Sequence, residues 1–305
     1  MQKMNAGGVS PQVGTPLAEF QIDSALVSGL LGDQHPDLGH LPLRNVDAGW
    51  DNAMFRLGND LAVRLPRRAV AATLILHEQV WLPRLAAHLT MTVPAPVRFG
   101  TPGQGYPWHW SVVPWLKGMT ADQHAPELSQ SSRFGAFLRS LHIPAPADAP
   151  ANPMRGVPLC YRAASVEERM QRLATKTRLI TPRLMGIWQS ALASAIDVPA
   201  TWIHGDLHPR NVLVDEGVIT GIIDWGDLTS GDCATDLASI WMIFAEPDAH
   251  RAALAAYGGI SKATKNRAKG WAVLFGVMLL ETGLNDCRTH ALIGQGILER
   301  LDLNP

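Results

Sequence analysis

Cysteine is scarce in this chain, which has three cysteines among its 305 residues. Cys160, Cys233 and Cys287 are odd in number and lack the spacing of metal ligands. A disulfide framework of the kind that holds small secreted domains together is therefore not expected. Free thiols are typical of a reducing compartment, and we expect a cytoplasmic location.

Long apolar runs are also missing. The most hydrophobic stretch runs from Trp271 to Leu280 and stops at Glu281, well short of the roughly 20 apolar residues that cross a bilayer. We expect it to be a buried helix. The first 16 residues lack the apolar core of a signal peptide and read as a flexible tail. No membrane is expected as a partner.

Neither sign of charge is in excess. The formal net charge is −1 and the hydrophobic content is 47%, as in ordinary globular proteins. Without a basic excess, nucleic acid is not expected as a partner. The length allows two subdomains and a substantial core, and we find no internal repeat.

A dense run of polar residues lies between Trp202 and Asp236. It contains His204-Gly205-Asp206-Leu207, then Asn211 five positions after Asp206, and Asp224 within an Ile-Ile-Asp-Trp-Gly segment. Transfer of a γ-phosphoryl group to a hydroxyl needs a carboxylate to accept the hydroxyl proton, and a second carboxylate with an amide oxygen to hold Mg²⁺. Asp206, Asp224 and Asn211 supply these groups in that order.

The local sequence fits these roles. Residues 212–214 and 218–223 are rich in β-formers and flank a turn at 215–217. A hairpin there places Asn211 and Asp224 at the same end. Taken singly, an aspartate in such a turn or an asparagine before a strand is usually a turn residue or a cap, whereas a charge after an apolar strand is more often paired or bound.

The spacing His-Gly-Asp-Leu-x-x-x-Asn followed by Asp-x-Gly matches the catalytic and metal-binding motifs of protein kinases, with Gly205 where kinases have arginine. From about Leu43 onward the sequence resembles the aminoglycoside phosphotransferase family, which includes macrolide and choline kinases and shares the kinase fold. The resemblance rests on HGDLHPRNVLVD, GIIDWGD and GDCATDLA. It implies that Asp206 is the base, that Asn211 and Asp224 bind Mg²⁺, and that the segment ending at Asp236 braces the site.

The resemblance also implies an α+β, bilobal, protein-kinase-like fold. We expect a tail and an extra helix over 1–42, and a small nucleotide-binding lobe with a five-stranded antiparallel sheet and a helix over 43–113. A hinge over 114–118 would then lead into a large, mainly helical lobe over 119–305. The cosubstrate would be ATP or GTP.

Five residues of the small lobe and the hinge are candidate nucleotide contacts. Gly49 lies in a turn where a kinase places its glycine-rich loop, although a simple hairpin is an equal alternative. Arg64 takes the place of the strand lysine that grips phosphates, unless it is an edge residue facing water. Glu78 is the acid expected to pair with it, and the alternative is a solvated helix glutamate. Val113 and Trp115 begin the hinge, where backbone groups would meet the purine, although tryptophan is more often packing.

The acceptor is left open by the sequence. The favoured function is Mg²⁺-dependent phosphorylation of a small-molecule hydroxyl, with an antibiotic, aminoglycoside or macrolide, as the acceptor implied by the resemblance. A polycationic aminoglycoside needs a carboxylate-lined pocket, for which the candidates are Glu246, Asp248, Glu281 and Asp286. The alternatives are a kinase of a metabolite such as choline or a sugar, and a nucleotide-binding protein with little catalysis.

Overall fold

A five-stranded antiparallel sheet occupies the first part of the chain. In a computed structural model that describes residues 17–48 and 51–303, its strands are β1 (Leu43–Ala48), β2 (Asn52–Leu57), β3 (Leu61–Pro66), β4 (Arg98–Gly100) and β5 (Trp110–Pro114). They are arranged in the order β1-β2-β3-β5-β4. We call these strands the small sheet. The predicted five-stranded antiparallel sheet is confirmed.

The fourth strand is shorter than the sequence suggests. We expected a strand from Val93 to Phe99, but β4 covers only Arg98–Gly100. Pro94 and Pro96 interrupt the segment before it, and proline has no N–H for a sheet hydrogen bond. The apolar composition of this segment therefore reflects packing and not strand pairing.

Two helices flank the small sheet. The extra helix α1 (Ser24–Gln34) follows Asp23, whose carboxylate caps it by accepting the Leu26 N–H. Its buried residues join one face of the sheet in a core of their own. Helix α2 (Ala69–Ala86) continues through Pro83, so the break that this proline suggested is absent. This helix carries Glu78 toward the sheet.

The rest of the chain is mainly helical. Its helices are α3 (Gln130–Leu141), α4 (Ala163–Ala174), α5 (Pro182–Leu192), α6 (Ala234–Leu237), α7 (Ser239–Ile243), α8 (Pro247–Tyr257), α9 (Lys262–Asp286) and α10 (Arg288–Leu303). Small strands lie among them: β6 (Met119–Thr120), β7 (Thr201–Ile203), β8 (Val212–Asp215), β9 (Val218–Ile222) and β10 (Thr229–Gly231). We call this part the helical lobe. Its large apolar core contains the middle of α9, the stretch that the sequence predicts as a buried helix. Within the described ranges no helix is long and apolar enough to cross a membrane.

Candidate active site

The loop that carries Asp206 is held by a buried carboxylate. Asp236, at the start of the helical segment after β10, accepts the N–H groups of His204 at 2.6 Å and Gly205 at 2.9 Å. His142, at the end of α3, lies 3.4 Å from the same carboxylate. A charged acceptor shared by two backbone donors is a strong restraint. Asp236 therefore braces the loop, as the sequence predicted.

Gly205 has a physical reason to be glycine. Its φ is +85°, and a Cβ at this position would lie 2.6 Å from the backbone oxygen of Asp227. Only glycine adopts this backbone conformation without cost. Gly205 therefore lets the loop pack directly on the segment after Asp224.

The β8–β9 hairpin brings Asn211 and Asp224 together, as predicted. The N–H of Ile223 donates to the backbone oxygen of Asn211 at 2.9 Å, so Asp224 follows directly at the open end of the hairpin. Asn211 donates from Nδ2 to the backbone oxygen of Asp206 at 2.8 Å. Asp224 has a φ of +61°, and its side chain is 59% exposed. One end of the hairpin thus presents an amide and an open carboxylate beside Asp206.

These residues fit a Mg²⁺ site that is completed by a nucleotide. Among the described residues there is no cluster of three or more His, Cys, Asp or Glu side chains that could hold a metal. Mg²⁺ characteristically uses one or two carboxylates together with water and substrate phosphates. The hydrogen bond from Asn211 Nδ2 to Asp206 leaves its Oδ1 available as a ligand, and Asp224 is open to solvent.

Arg64 and Glu78 form the ion pair that the sequence predicted. Arg64 Nη1 lies 2.5 Å from Glu78 Oε2, and both side chains are buried. Arg64 Nη2 also lies 3.5 Å from Asp224 Oδ1. Burial works to lower the pKa of Arg64, but the charges of Glu78 and Asp224 raise it overall, so the guanidinium stays charged.

The same pair has unused polar atoms. Arg64 Nε and Glu78 Oε1 are buried without a hydrogen-bond partner. Because buried polar groups normally find partners, the unpaired donor of Arg64 marks a place for an acceptor group such as a phosphate oxygen. The open edge of this ion pair faces Asp224.

The remaining predicted nucleotide contacts are Gly49, Val113 and Trp115, and their positions do not point to a nucleotide as directly as that of Arg64. Gly49 lies outside the described residues. Val113 is buried in β5 opposite Ala62 of β3. The N–H of Trp115 donates to the backbone oxygen of Asp60 at 2.8 Å, so this donor is already engaged. Their contact with a nucleotide stays a prediction.

Arg56 was not anticipated from the sequence. Its guanidinium stacks 4.5 Å from the centre of the Trp115 ring. Along β2, Arg56 alternates with buried neighbours and lies on the same face of the sheet as Met54, two residues earlier. Met54 is the cross-strand partner of Arg64 in β3. Arg56 and Arg64 therefore lie on the same face. Two cations therefore share this face of the small sheet.

Arg155 is the second residue that sequence reasoning missed. Its Nη2 lies 2.6 Å from Asp206 Oδ1 and its Nε lies 3.4 Å from Asp227 Oδ2. Asn152 holds Asp227 from the other side, with Nδ2 donating to Oδ1 at 2.7 Å. The predicted base is thus ion-paired by an arginine from the loop over 143–158 that follows α3, which we call the proline-rich loop. Asp227 was visible in the motif, but nothing in the sequence indicated its partner.

These charges set the ionisation of both acids. Burial works to raise the pKa of Asp206, but Arg155 and His208 more than offset it and hold that pKa well below its usual range. The pKa of Asp227 is raised, chiefly by burial, although Arg155 opposes the shift. Asp206 is therefore a carboxylate at neutral pH, able to accept a hydrogen bond from a hydroxyl.

A cavity of about 350 Å³ adjoins the loop at Pro209. Its lining is largely apolar, with contributions from α7 and α10 and with the charged side chains of Asp122, Glu246 and Arg300. Asp122 Oδ1 is buried without a partner. A small organic molecule is of a size to enter this space.

Comparison with known proteins defines the class. A family model described as the phosphotransferase enzyme family matches residues 42–271. The chain belongs to this family. The resemblance predicted from the motifs is confirmed.

Two curated proteins are related to this chain at 26% and 27% identity. An uncharacterized protein, YcbJ, of Bacillus subtilis is 26% identical over 64% of this chain and 66% of its own length. A homoserine kinase of Methylocella silvestris is 27% identical over 67% of this chain and 65% of its own length. The match spans just under two thirds of the length of each relative.

Solved structures share the fold. The GDP complex of an aminoglycoside 2'-phosphotransferase-IIIa aligns with a TM-score of 0.64 at 18% identity, covering 93% of this chain and 99% of that chain. A macrolide 2'-phosphotransferase, MphH, from Brachybacterium faecium aligns with a TM-score of 0.58 at 20% identity, covering 90% and 97%. The predicted α+β kinase-like fold is therefore confirmed.

Proposed function

We propose that this protein transfers the γ-phosphoryl group of ATP or GTP to a hydroxyl of a small molecule in a Mg²⁺-dependent reaction. One observation carries the proposal: the buried Arg64–Glu78 pair meets Asp224 at 3.5 Å, at the end of the hairpin that also holds Asn211 against Asp206. A phosphate-binding cation, two metal-ligand candidates and a base thus converge.

Each residue has a role in this proposal. Arg64, oriented by Glu78, binds phosphate through its free Nε, and the loop at Gly49 covers the phosphates. Asn211 and Asp224 hold Mg²⁺, which neutralises charge on the phosphates when bound. Val113 and Trp115 border the base of the nucleotide.

Asp206 acts on the acceptor. Because its pKa is held low, it orients the hydroxyl as a hydrogen-bond acceptor and takes the proton only as the O–P bond forms. Phosphoryl transfer passes through a loose transition state that needs little prior deprotonation. A carboxylate of low basicity is adequate for this task.

The fold relatives support an antibiotic as the acceptor, either an aminoglycoside or a macrolide, with inactivation of the drug as the outcome. The ion pairs support the alternative, a cellular metabolite. Glu281, one of the acids expected to attract a polycation, is paired with Arg169 and Arg172, and Asp248 is paired with Arg251. Asp206 itself is paired with Arg155. Two of the four candidate acids and the predicted base are thus already paired with arginines, and we favour the metabolite.

The free cysteines support a reducing compartment. Cys160, Cys233 and Cys287 are all unbridged, and we propose that the activity is cytoplasmic.

The test is nucleotide consumption by the purified protein with Mg²⁺, with ATP and GTP supplied separately. The acceptor panel contains aminoglycosides, macrolides, choline, sugars and hydroxy amino acids. Stimulated turnover with one acceptor, accompanied by a phosphorylated product, would support the proposal. Nucleotide binding without turnover on any of these acceptors would favour the binding-protein alternative.

A further inference from the structure

Arg162 is a buried cation without an anionic partner. The residue is 7% exposed, and no carboxylate of the described ranges lies within ion-pair distance of it. Its Nη1 donates a hydrogen bond to the sulfur of Met154 at 2.7 Å, and its Nε has no partner. Since buried charges are almost always paired, this one needs an explanation.

Arg162 lies near Arg155, the arginine that pairs with the predicted base. Met154, which it contacts, precedes Arg155, and Arg155 binds Asp206 at 2.6 Å. Burial lowers the pKa of Arg162, and the nearby charges of Arg155 and Arg169 lower it further. The guanidinium groups of Arg155 and Arg169 thus lie near enough to Arg162 to act on its charge.

The neighbouring acids do not neutralise Arg162. Arg155 already takes the charges of Asp206 and Asp227, and Arg169 shares Glu281 with Arg172. On α4 itself, Glu167 accepts the Trp188 N–H at 3.1 Å and Glu168 pairs with Arg172. Arg162 is therefore the one arginine of this group without a carboxylate of the described residues within ion-pair distance.

Helix α4 adds to this charge. Arg162 is its N-cap residue, and the first turn has neither an acidic residue nor a side-chain cap. The N-terminus of a helix carries a partial positive charge from its unpaired N–H groups. The positive potential at Arg162 is thus higher than the guanidinium alone would give.

We propose that the hydroxyl acceptor carries an anionic group, a carboxylate or a phosphate, and that Arg162, with Arg155 beside it, binds this group. The inference rests on the proposed function, because it names the acceptor class for the same Asp206. An anion at Arg162 supplies the missing partner and fixes the acceptor relative to the base. A polycation meets repulsion at the same place.

Matched probes test this directly with the full chain. L-homoserine and its primary amide differ only in the carboxylate, and glycerol phosphate and glycerol differ only in the phosphate. The melting temperature is measured with each probe at constant ionic strength, since a ligand that binds the folded state raises it. The variants are Arg162→Met and, as a matched control, Arg178→Met at an exposed position in the same part of the chain.

We expect homoserine or glycerol phosphate to raise the melting temperature of the wild type and of R178M, but not that of R162M. The uncharged counterpart has no such effect. Which of the two anions acts identifies the carboxylate or the phosphate. Without probe, R162M melts at or above the wild-type temperature, because an unpaired buried charge has been removed. This separates loss of binding from loss of folding.

Kinetics give the second readout. With an active anionic acceptor, R162M raises KM by roughly 10–100-fold while kcat stays within a few-fold, because a charge-assisted contact remote from the reacting hydroxyl is lost. Equal stabilisation by acid and amide, no stabilisation by either anion, or an unchanged response of R162M would overturn the inference. An anion-dependent shift without turnover of any acceptor would uphold the anion site and reject the phosphotransferase function.

Discussion

Arg155 Nη2 lies 2.6 Å from Asp206 Oδ1, joining the proline-rich loop to the loop that carries the predicted base. The guanidinium also stacks 4.9 Å from the centre of the Phe275 ring on α9. Its side chain is 13% exposed, so solvent screens the pair little. The position and the charge of Asp206 therefore both depend on a residue outside the motif.

Replacing Arg155 with methionine should move the pH dependence of the reaction. Arg155 lowers the pKa of Asp206, so the variant has a higher pKa at this carboxyl. The acidic limb of the kcat/KM profile, which reports protonation of Asp206 in the free enzyme, should shift to higher pH. The measurement is kcat/KM between pH 4 and 9 with a working acceptor.

Arg155→Met should also change how the free energy of unfolding depends on pH, in the direction set by the depressed pKa of Asp206. A carboxyl whose folded pKa is depressed stabilises the protein above its unfolded pKa, about 3.9, and this contribution is lost as the pH falls toward the folded value. R155M therefore loses stability mainly above pH 4. Arg98→Met, at a half-exposed pair on the small sheet, is the control. An acidic limb that stays in place in R155M would show that Arg155 does not tune Asp206.

Asp206→Asn should lower kcat by about 10²–10⁴, the typical contribution of a positioned base. Asparagine keeps the shape of the side chain but cannot take the proton. The matched control is Asp215→Asn, an exposed aspartate at the hairpin turn, which should retain full turnover. Wild-type turnover in D206N would disprove the assignment of the base.

Asp224→Ala should raise the Mg²⁺ concentration needed for half-maximal activity and weaken nucleotide binding. Both effects are expected because the Asp224 carboxylate is open to solvent and lies beside Arg64, where it would hold the Mg²⁺ that neutralises phosphate charge. Titration of Mg²⁺ at fixed ATP measures the first effect and calorimetry the second. A Mg²⁺ dependence identical to that of the wild type would remove Asp224 from the metal site.

Arg267→Met should reduce the free energy of unfolding by about 3–5 kcal/mol, because it leaves the buried carboxylate of Asp232 without its partner. Arg267 holds Asp232 with two hydrogen bonds, of 2.7 Å and 3.2 Å, just before the helix that carries Asp236. Urea unfolding measures the loss, and the double variant R267M/D232N should recover much of it. Arg251→Met, at an exposed pair, should change stability by about 0.5 kcal/mol or less. Equal losses in R251M and R267M would contradict this account.

Much of the site could be predicted because its parts lie in short stretches of regular structure. The Arg64–Glu78 pair could be predicted because Arg64 lies in a strand and Glu78 in the helix that follows it. Glu78 was also the one acid between Asp60 and Asp122. Asn211 and Asp224 meet because a short turn returns the second strand to the end where the first began, and the register shift between Leu213 and Val214 does not alter this. The cap of α1 is also formed within a short stretch of sequence, since Asp23 accepts from the N–H of Leu26, three residues further on.

The parts that escaped prediction depend on irregular backbone or long sequence separation. Arg155 lies 51 residues from Asp206, in a loop without periodicity, so no pattern links the two residues. Arg162 reads as an ordinary helix-start residue until its burial is known. The short β4 strand is different, since Pro94 and Pro96 were visible and their missing N–H groups outweigh the β-propensity of the neighbouring residues.

Asp236 also determines how rapidly the amide hydrogens of the loop exchange with solvent. The amide hydrogens of His204 and Gly205 are bonded to this fully buried carboxylate and exchange with solvent only when the surrounding helical layer opens. Their exchange rates should therefore match those of amides in the middle of α9 and not those of the small sheet. Transient opening of the small sheet around an incoming nucleotide would then leave the hydrogen bonds between the loop and Asp236 intact.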